Sequence, residues 1–197
     1  MLALTTGMRR GEILALKWQD INFPQSTLQV RRIFTRAPGN RYIESEPKTE
    51  KSRRSVMLAP MTVDVLKQHR IRQLEVKLQA GTDWQERDLV FCTALGTPLN
   101  LNKVLERFKT LLKKAELPDI RFHDLRHSAA SILLSMGVHP KIVQELLGHN
   151  QISMTMDTYS HVLPTMQGDA MNKLNDALME QQEDEEKLLE DGDSLED

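Results

Sequence analysis

The sequence predicts a mixed α+β protein, mainly α-helical, with a small three-stranded antiparallel sheet near its N-terminus. Apolar residues recur at every second position in parts of residues 27–58 (Leu28 and Val30, later Val56 and Leu58), whereas elsewhere they recur at helical spacing. Proline and glycine punctuate those helical stretches: Pro60 and Pro140 stand where helices begin, and Gly81, Gly137 and Gly148 where they stop. A chain of 197 residues suits one domain with an ordinary core.

Residues 1–5 read as the last turn of a helix that starts before the chain does, since so short a segment cannot nucleate alone. Thr6-Gly7 makes a turn, and a helix over 9–17 follows with Ile13, Leu14 and Leu16 inward. The sheet comes next. Its strands contain Leu28, Val30, Ile33 and Phe34, then Tyr42-Ile43-Glu44, then Arg54-Ser55-Val56-Met57-Leu58, with Gly39-Asn40 as the first turn. Lys48, Lys51, Arg53 and Arg54 cluster about its second turn, and the last three read as contacts to a phosphate backbone.

Pro60 opens a long helix that Gly81 ends, with Val63, Leu66, Ile71, Leu74 and Leu78 along one side. Asn100 is placed to cap a helix over 101–115. A central helix over 122–136 carries Leu125, Ala129, Ile132, Leu133 and Met136 as its apolar positions, and Pro140 starts a shorter one that Gly148 closes. These two resemble a helix-turn-helix reader only superficially, because Val138, Ile142, Val143, Leu146 and Leu147 leave too few polar side chains to read base edges. Residues 153–162 form a helical stretch bearing Tyr159, and Pro164 precedes a last helix near 165–180.

Charge is distributed unevenly. The net charge is −2, but residues 180–197 contain ten acids and one base, Lys187, leaving +7 on the remainder. A basic domain with an acidic, solvated and disordered tail is compatible with nucleic-acid binding. The single Cys92 cannot form an intramolecular disulfide, and no apolar run approaches the length of a membrane span, so a cytoplasmic location without membrane contact is expected.

On the central helix His123 and Arg126 are three apart, bringing a hydrogen-bond donor and a permanent cation to one face. A guanidinium offers a planar fork to phosphate oxygens and stays charged at neutral pH. Tyr159 adds a phenol beyond the Gly148-His149 reversal. His123 and His127 also have metal-binding spacing, but there is no HExxH pattern or cysteine pair, and Arg126 lies between them. No metal or other cofactor is expected.

Five blocks together carry a more specific signal: Thr6-Gly7-Met8-Arg9-Arg10-Gly11-Glu12, Pro47-Lys48-Thr49, His123-Asp124-Leu125-Arg126-His127, Leu146-Leu147-Gly148-His149, and Met156-Asp157-Thr158-Tyr159-Ser160-His161. In residues, order and spacing they resemble the catalytic domain of the tyrosine recombinases, the phage integrase family, over nearly the whole chain to about residue 165. The resemblance implies a catalytic domain over 1–180 and an acidic tail over 181–197, with a separate N-terminal DNA-clamping domain absent and the first helix truncated. It implies Arg9, Lys48, His123, Arg126, His149 and the nucleophile Tyr159 as catalytic residues, with Glu12 as the acid that orients the first arginine. Glu12 reads equally as a carboxylate placed at a helix N-terminus, and His127 reads as a supporting or structural hydrogen-bonder. The activity implied is site-specific recombination of double-stranded DNA through a 3′-phosphotyrosine, by a homotetramer joined through its C-terminal helix. A non-catalytic DNA-binding accessory protein on the same fold and a type IB topoisomerase are the alternatives.

Overall fold

The structure is a computed structural model that describes residues 1–36, 42–46 and 53–148, together with helical positions between 168 and 179. Helix α1 (Leu2–Thr6) ends at Gly7 and is followed by α2 (Arg10–Leu14) and a 3-10 turn at Trp18–Asp20. Five short strands follow: β1 (Ile21–Asn22), β2 (Thr27–Val30), β3 (Ile33–Arg36), β4 (Tyr42–Ser45) and β5 (Arg54–Met57). The helical part comprises α3 (Pro60–Ala80), α4 (Leu101–Lys114), α5 (Asp124–Ser135) and α6 (Pro140–Leu147).

The mainly helical α+β class is as expected, but the described strands divide into two sheets. β2 lies between β1 and β5, all antiparallel, while β3 and β4 pair separately. The expected first strand is interrupted at Arg31 and Arg32, where the chain leaves one partner for another. Arg32 anchors the break through ion pairs with the buried carboxylate of Asp20 at 2.6 Å and with Glu44 at 3.2 Å. Within β2 and β5 the two-residue period holds: Leu28, Val30, Val56 and then Leu58 are buried, while Gln29 and Met57 face out.

These buried residues join Leu2, Met8, Ile13, Leu16, Val63, Leu66 and Val90 in the main core. Leu14, Ala15, Phe34, Leu89 and Leu101 form a second cluster, and Ala130, Leu134, Val143 and Leu147 fill the space between α5 and α6. Pro60 and Gly81 bound α3 where the sequence placed them, and Asn100 caps α4 by accepting from the backbone N–H groups of Asn102 and Lys103. Only the first half of α3 reaches the core, however. Ile71, Leu74 and Leu78 are exposed, and the second half of the helix is held instead by polar contacts. Gln73 donates to the carbonyl oxygens of Leu89 and Val90 and accepts from the Trp18 indole, and Lys77 pairs with Glu86. The expected helix over 9–17 stops at Leu14, and the chain turns into the 3-10 segment instead.

Both glycines of the first block have physical reasons. Gly7 adopts the left-handed conformation at φ 60°, and a Cβ there would overlap Leu147 Cδ2 of α6. A Cβ on Gly11 would fall 2.5 Å from the carbonyl oxygen of Phe34, so β3 could not lie against α2. Gly7→Ala is expected to lower stability by about 2 kcal/mol or more in urea unfolding, combining left-handed strain with the clash. An unchanged midpoint would contradict this account.

Candidate active site

Arg9 is the extended residue immediately before α2. Glu12 reaches back to it, accepting the Arg9 backbone N–H at 2.8 Å and its Nη1 at 2.9 Å. An N3 carboxylate satisfying a free helix-start N–H is half of a capping box, and here it also aims the guanidinium. Glu12 is 2% exposed and has a second cation, Arg54, whose Nη2 lies 3.0 Å from Oε2. Burial pushes the Glu12 carboxyl up, but the charge and hydrogen bonds of Arg54 and the hydrogen bond and charge of Arg9 outweigh it and hold the group below the usual range. It is therefore ionised at neutral pH.

Arg126 comes from the far side of the sequence. It is 3% exposed, on the inner face of α5, and its Nη1 donates to the carbonyl oxygen of Gly7 at 2.7 Å. The left-handed turn that ends α1 thus presents an acceptor to α5, two residues before Arg9. α5 consequently buries Arg126, Ala129, Ala130 and Leu134, whereas Ile132 and Met136, expected inside, are exposed.

His123 immediately precedes α5 and stands at the mouth of the same region, its ring edge-on to His127 with centroids 5.0 Å apart. Its imidazole is held below the ordinary histidine range, first by partial burial of the ring and then by the positive charges of His127, Arg126, Arg9 and Arg121. Arg9 from α2 and Arg126 from α5 therefore act on one imidazole. Two guanidinium groups with a neutral imidazole beside them suit an anion that offers two oxygens to such forks, as a phosphodiester does.

The structure sorts the remaining expected residues. Arg53 is exposed and paired with Glu46, in keeping with a surface position. Arg54 differs from the expected surface contact: its side chain is 6% exposed, and besides Glu12 it donates from Nε to the carbonyl oxygen of Leu146 at 2.7 Å. The signal for this was present, since Arg54 shares its strand face with the buried Val56 and Leu58. Lys48, Lys51, His149 and Tyr159 lie outside the described residues. Among the described residues no group of three histidine, cysteine, aspartate or glutamate side chains gathers where a metal ion could be held.

Comparison with known proteins bears on the family and the fold. The model of the phage integrase family matches residues 1–166. The chain is similar to the tyrosine recombinase XerC-like protein of Caldanaerobacter subterraneus subsp. tengcongensis, at 41% identity over 89% of this chain and 48% of that protein. It is similar to the ICEBs1 integrase of Bacillus subtilis at 30% identity, over 90% of this chain and 48% of that one. In fold it resembles the Tn1549 transposon integrase solved in complex with transposon right end DNA, with a TM-score of 0.74 at 23% identity over 88% of this chain and 57% of that chain. The chain spans about half the length of the curated relatives it matches. With a family match over most of its length, the chain belongs to the phage integrase family of tyrosine recombinases.

Proposed function

We propose that the protein carries out site-specific recombination of double-stranded DNA, cutting and rejoining strands through a covalent 3′-phosphotyrosine. The observation that carries this reading is that Arg126 of α5 is hydrogen-bonded at 2.7 Å to the carbonyl oxygen of Gly7, two residues before Arg9, so that the arginines of the first and third blocks are brought together. In the proposed reaction the Tyr159 oxygen gives up its proton to solvent and forms a bond to the scissile phosphorus, as the bond from phosphorus to the 5′ oxygen breaks. Arg9 and Arg126 hold the two non-bridging oxygens as negative charge builds on them, with His123 and His149 adding hydrogen bonds. Lys48 gives its proton to the departing 5′ oxygen, which a lysine does more readily than an arginine. A tyrosine of ordinary pKa, about 10, is a weak nucleophile at neutral pH, so most of the rate must come from such electrostatic stabilisation.

The phosphotyrosine conserves the energy of the ester. A 5′ hydroxyl from a second strand therefore reverses the step without ATP, and strands are exchanged rather than degraded. Residues 1–180 form the catalytic domain in this reading and 181–197 an acidic tail. Assembly on DNA is proposed to be a homotetramer joined through the C-terminal helix. Its described positions support a sticky face: Met171, Leu174, Leu178 and Met179 are all exposed. No helix among the described residues is long and apolar enough to cross a membrane, and a cytoplasmic location is proposed from the DNA substrate.

The test is covalent trapping. The chain is incubated with a library of duplexes randomised around a nick placed so that the short 5′ piece diffuses away after cleavage. A detergent-resistant adduct is expected, with mass spectrometry finding the nucleotide on Tyr159. Absence of an adduct, with DNA binding retained, would leave an accessory DNA-binding protein. An adduct accompanied by relaxation of supercoils but no recombinant junctions would indicate a topoisomerase.

A further inference from the structure

Arg54 does not behave as the surface cation that its basic surroundings suggest. Its guanidinium is almost wholly buried and joins two elements distant in sequence. One edge meets Glu12 on α2, with Nη2 to Oε2 at 3.0 Å and Nη1 to Oε1 at 3.4 Å. Nε points the other way, to the Leu146 carbonyl in the last turn of α6 at 2.7 Å. The last carbonyls of a helix lack intrahelical donors and carry the negative end of its dipole, so a cation there is doubly favoured. The same Glu12 carboxylate takes both the backbone N–H and Nη1 of Arg9.

We infer that Arg54 is a positioning residue that holds Glu12 in the ionised, fixed orientation needed to aim Arg9, and ties this arrangement to the end of α6. The inference rests on the proposed cleavage reaction, and assigns within it a role that no contact with DNA provides. Glu12 is 2% exposed and has little water to replace a lost partner. Without Arg54, its carboxyl faces the cost of burial with Arg9 alone, and Arg9 is half-exposed and free to leave. Leu146 precedes His149 by three residues, so the same guanidinium braces the helix end from which His149 continues.

The experiment compares Arg54→Gln with the unaltered 197-residue chain in single-turnover cleavage of the nicked duplexes, as a function of DNA concentration, salt and pH. Expected is a loss of at least tenfold in the rate at saturating DNA, with half-saturation changed less than threefold and the acid limb of the pH profile displaced upward. A phosphate contact would do the opposite, weakening half-saturation and flattening its salt dependence while sparing the saturated rate. That result overturns the inference. Should Arg54→Gln not fold, Arg54→Lys keeps the buried charge but cannot span both partners, and the same loss of rate is expected of it. A full rate in the lysine variant counts against the assignment.

Carbon-13 titration of the Glu12 carboxyl separates failure of this inference from failure of the cleavage reading. Its midpoint is expected to rise on replacing Arg54 whether or not the chain forms an adduct. An unmoved midpoint overturns the coupling even if cleavage is observed.

Discussion

Arg126→Ala is expected to slow DNA cleavage at least a hundredfold and to destabilise the fold at the same time. Both effects follow from one side chain used twice. The guanidinium that is proposed to grip the scissile phosphate also donates to the Gly7 carbonyl from a position 3% exposed. Losing a preorganised donor to a developing oxyanion costs about 3 kcal/mol in the barrier. Leaving the Gly7 oxygen without that donor, and a void beside it, costs roughly 1–3 kcal/mol of stability. Single-turnover trapping on nicked duplexes and urea unfolding measure the two losses separately. Arg126→Lys keeps the charge but lacks the fork, so most of the rate loss is expected to persist. A variant with normal stability, or a rate within threefold of the original, would break the connection between anchoring and chemistry.

Arg9→Ala is expected to cost a comparable hundredfold in rate with little change in stability. Arg9 is 35% exposed, and its ion pair with Glu12 is partly screened by solvent. Pairs of this kind contribute under about 1 kcal/mol. Removing it also leaves Glu12 with Arg54, so no buried charge is stranded. The pair of variants therefore separates two arginines with the same proposed chemical task, one structural and one not. A drop in the urea midpoint of Arg9→Ala as large as that of Arg126→Ala would show that the exposed cation does more than meet the substrate.

The limits of α3 and α6 and the start of α4 were legible because their causes are local, whereas the end of α2 at Leu14 was not. Pro60, Gly81, Asn100, Pro140 and Gly148 each act within one turn of the backbone, and each marks the end expected of it. The division of the strands into two sheets was not legible. It depends on Arg32 meeting Asp20 and Glu44, partners set by tertiary packing rather than by periodicity. The inner face of α5 was misread for a related reason. Apolar spacing favoured Ile132 and Met136, but the helix is rotated so that Arg126 can reach Gly7. Arg54 was assigned by the charge of its neighbours in sequence, while its strand parity pointed inward toward a carboxylate 42 residues away. Arg9, Glu12, His123 and Arg126 could be named from their blocks. What holds them was not legible, because Arg54 and the Gly7 carbonyl reach them from distant segments of the chain.

The hydrogen bond between Arg126 and Gly7 joins positions 119 residues apart, and that between Arg54 and Leu146 joins positions 92 apart. A chain still emerging from the ribosome exhibits Arg9 and Glu12 early but has nothing to set against them until α5 and α6 have been made. On the proposed reaction, the arginine cluster is therefore assembled only once α5 and α6 have been made. Products that stop before α5 lack the donor that Gly7 accepts and the partner arginine of the proposed site.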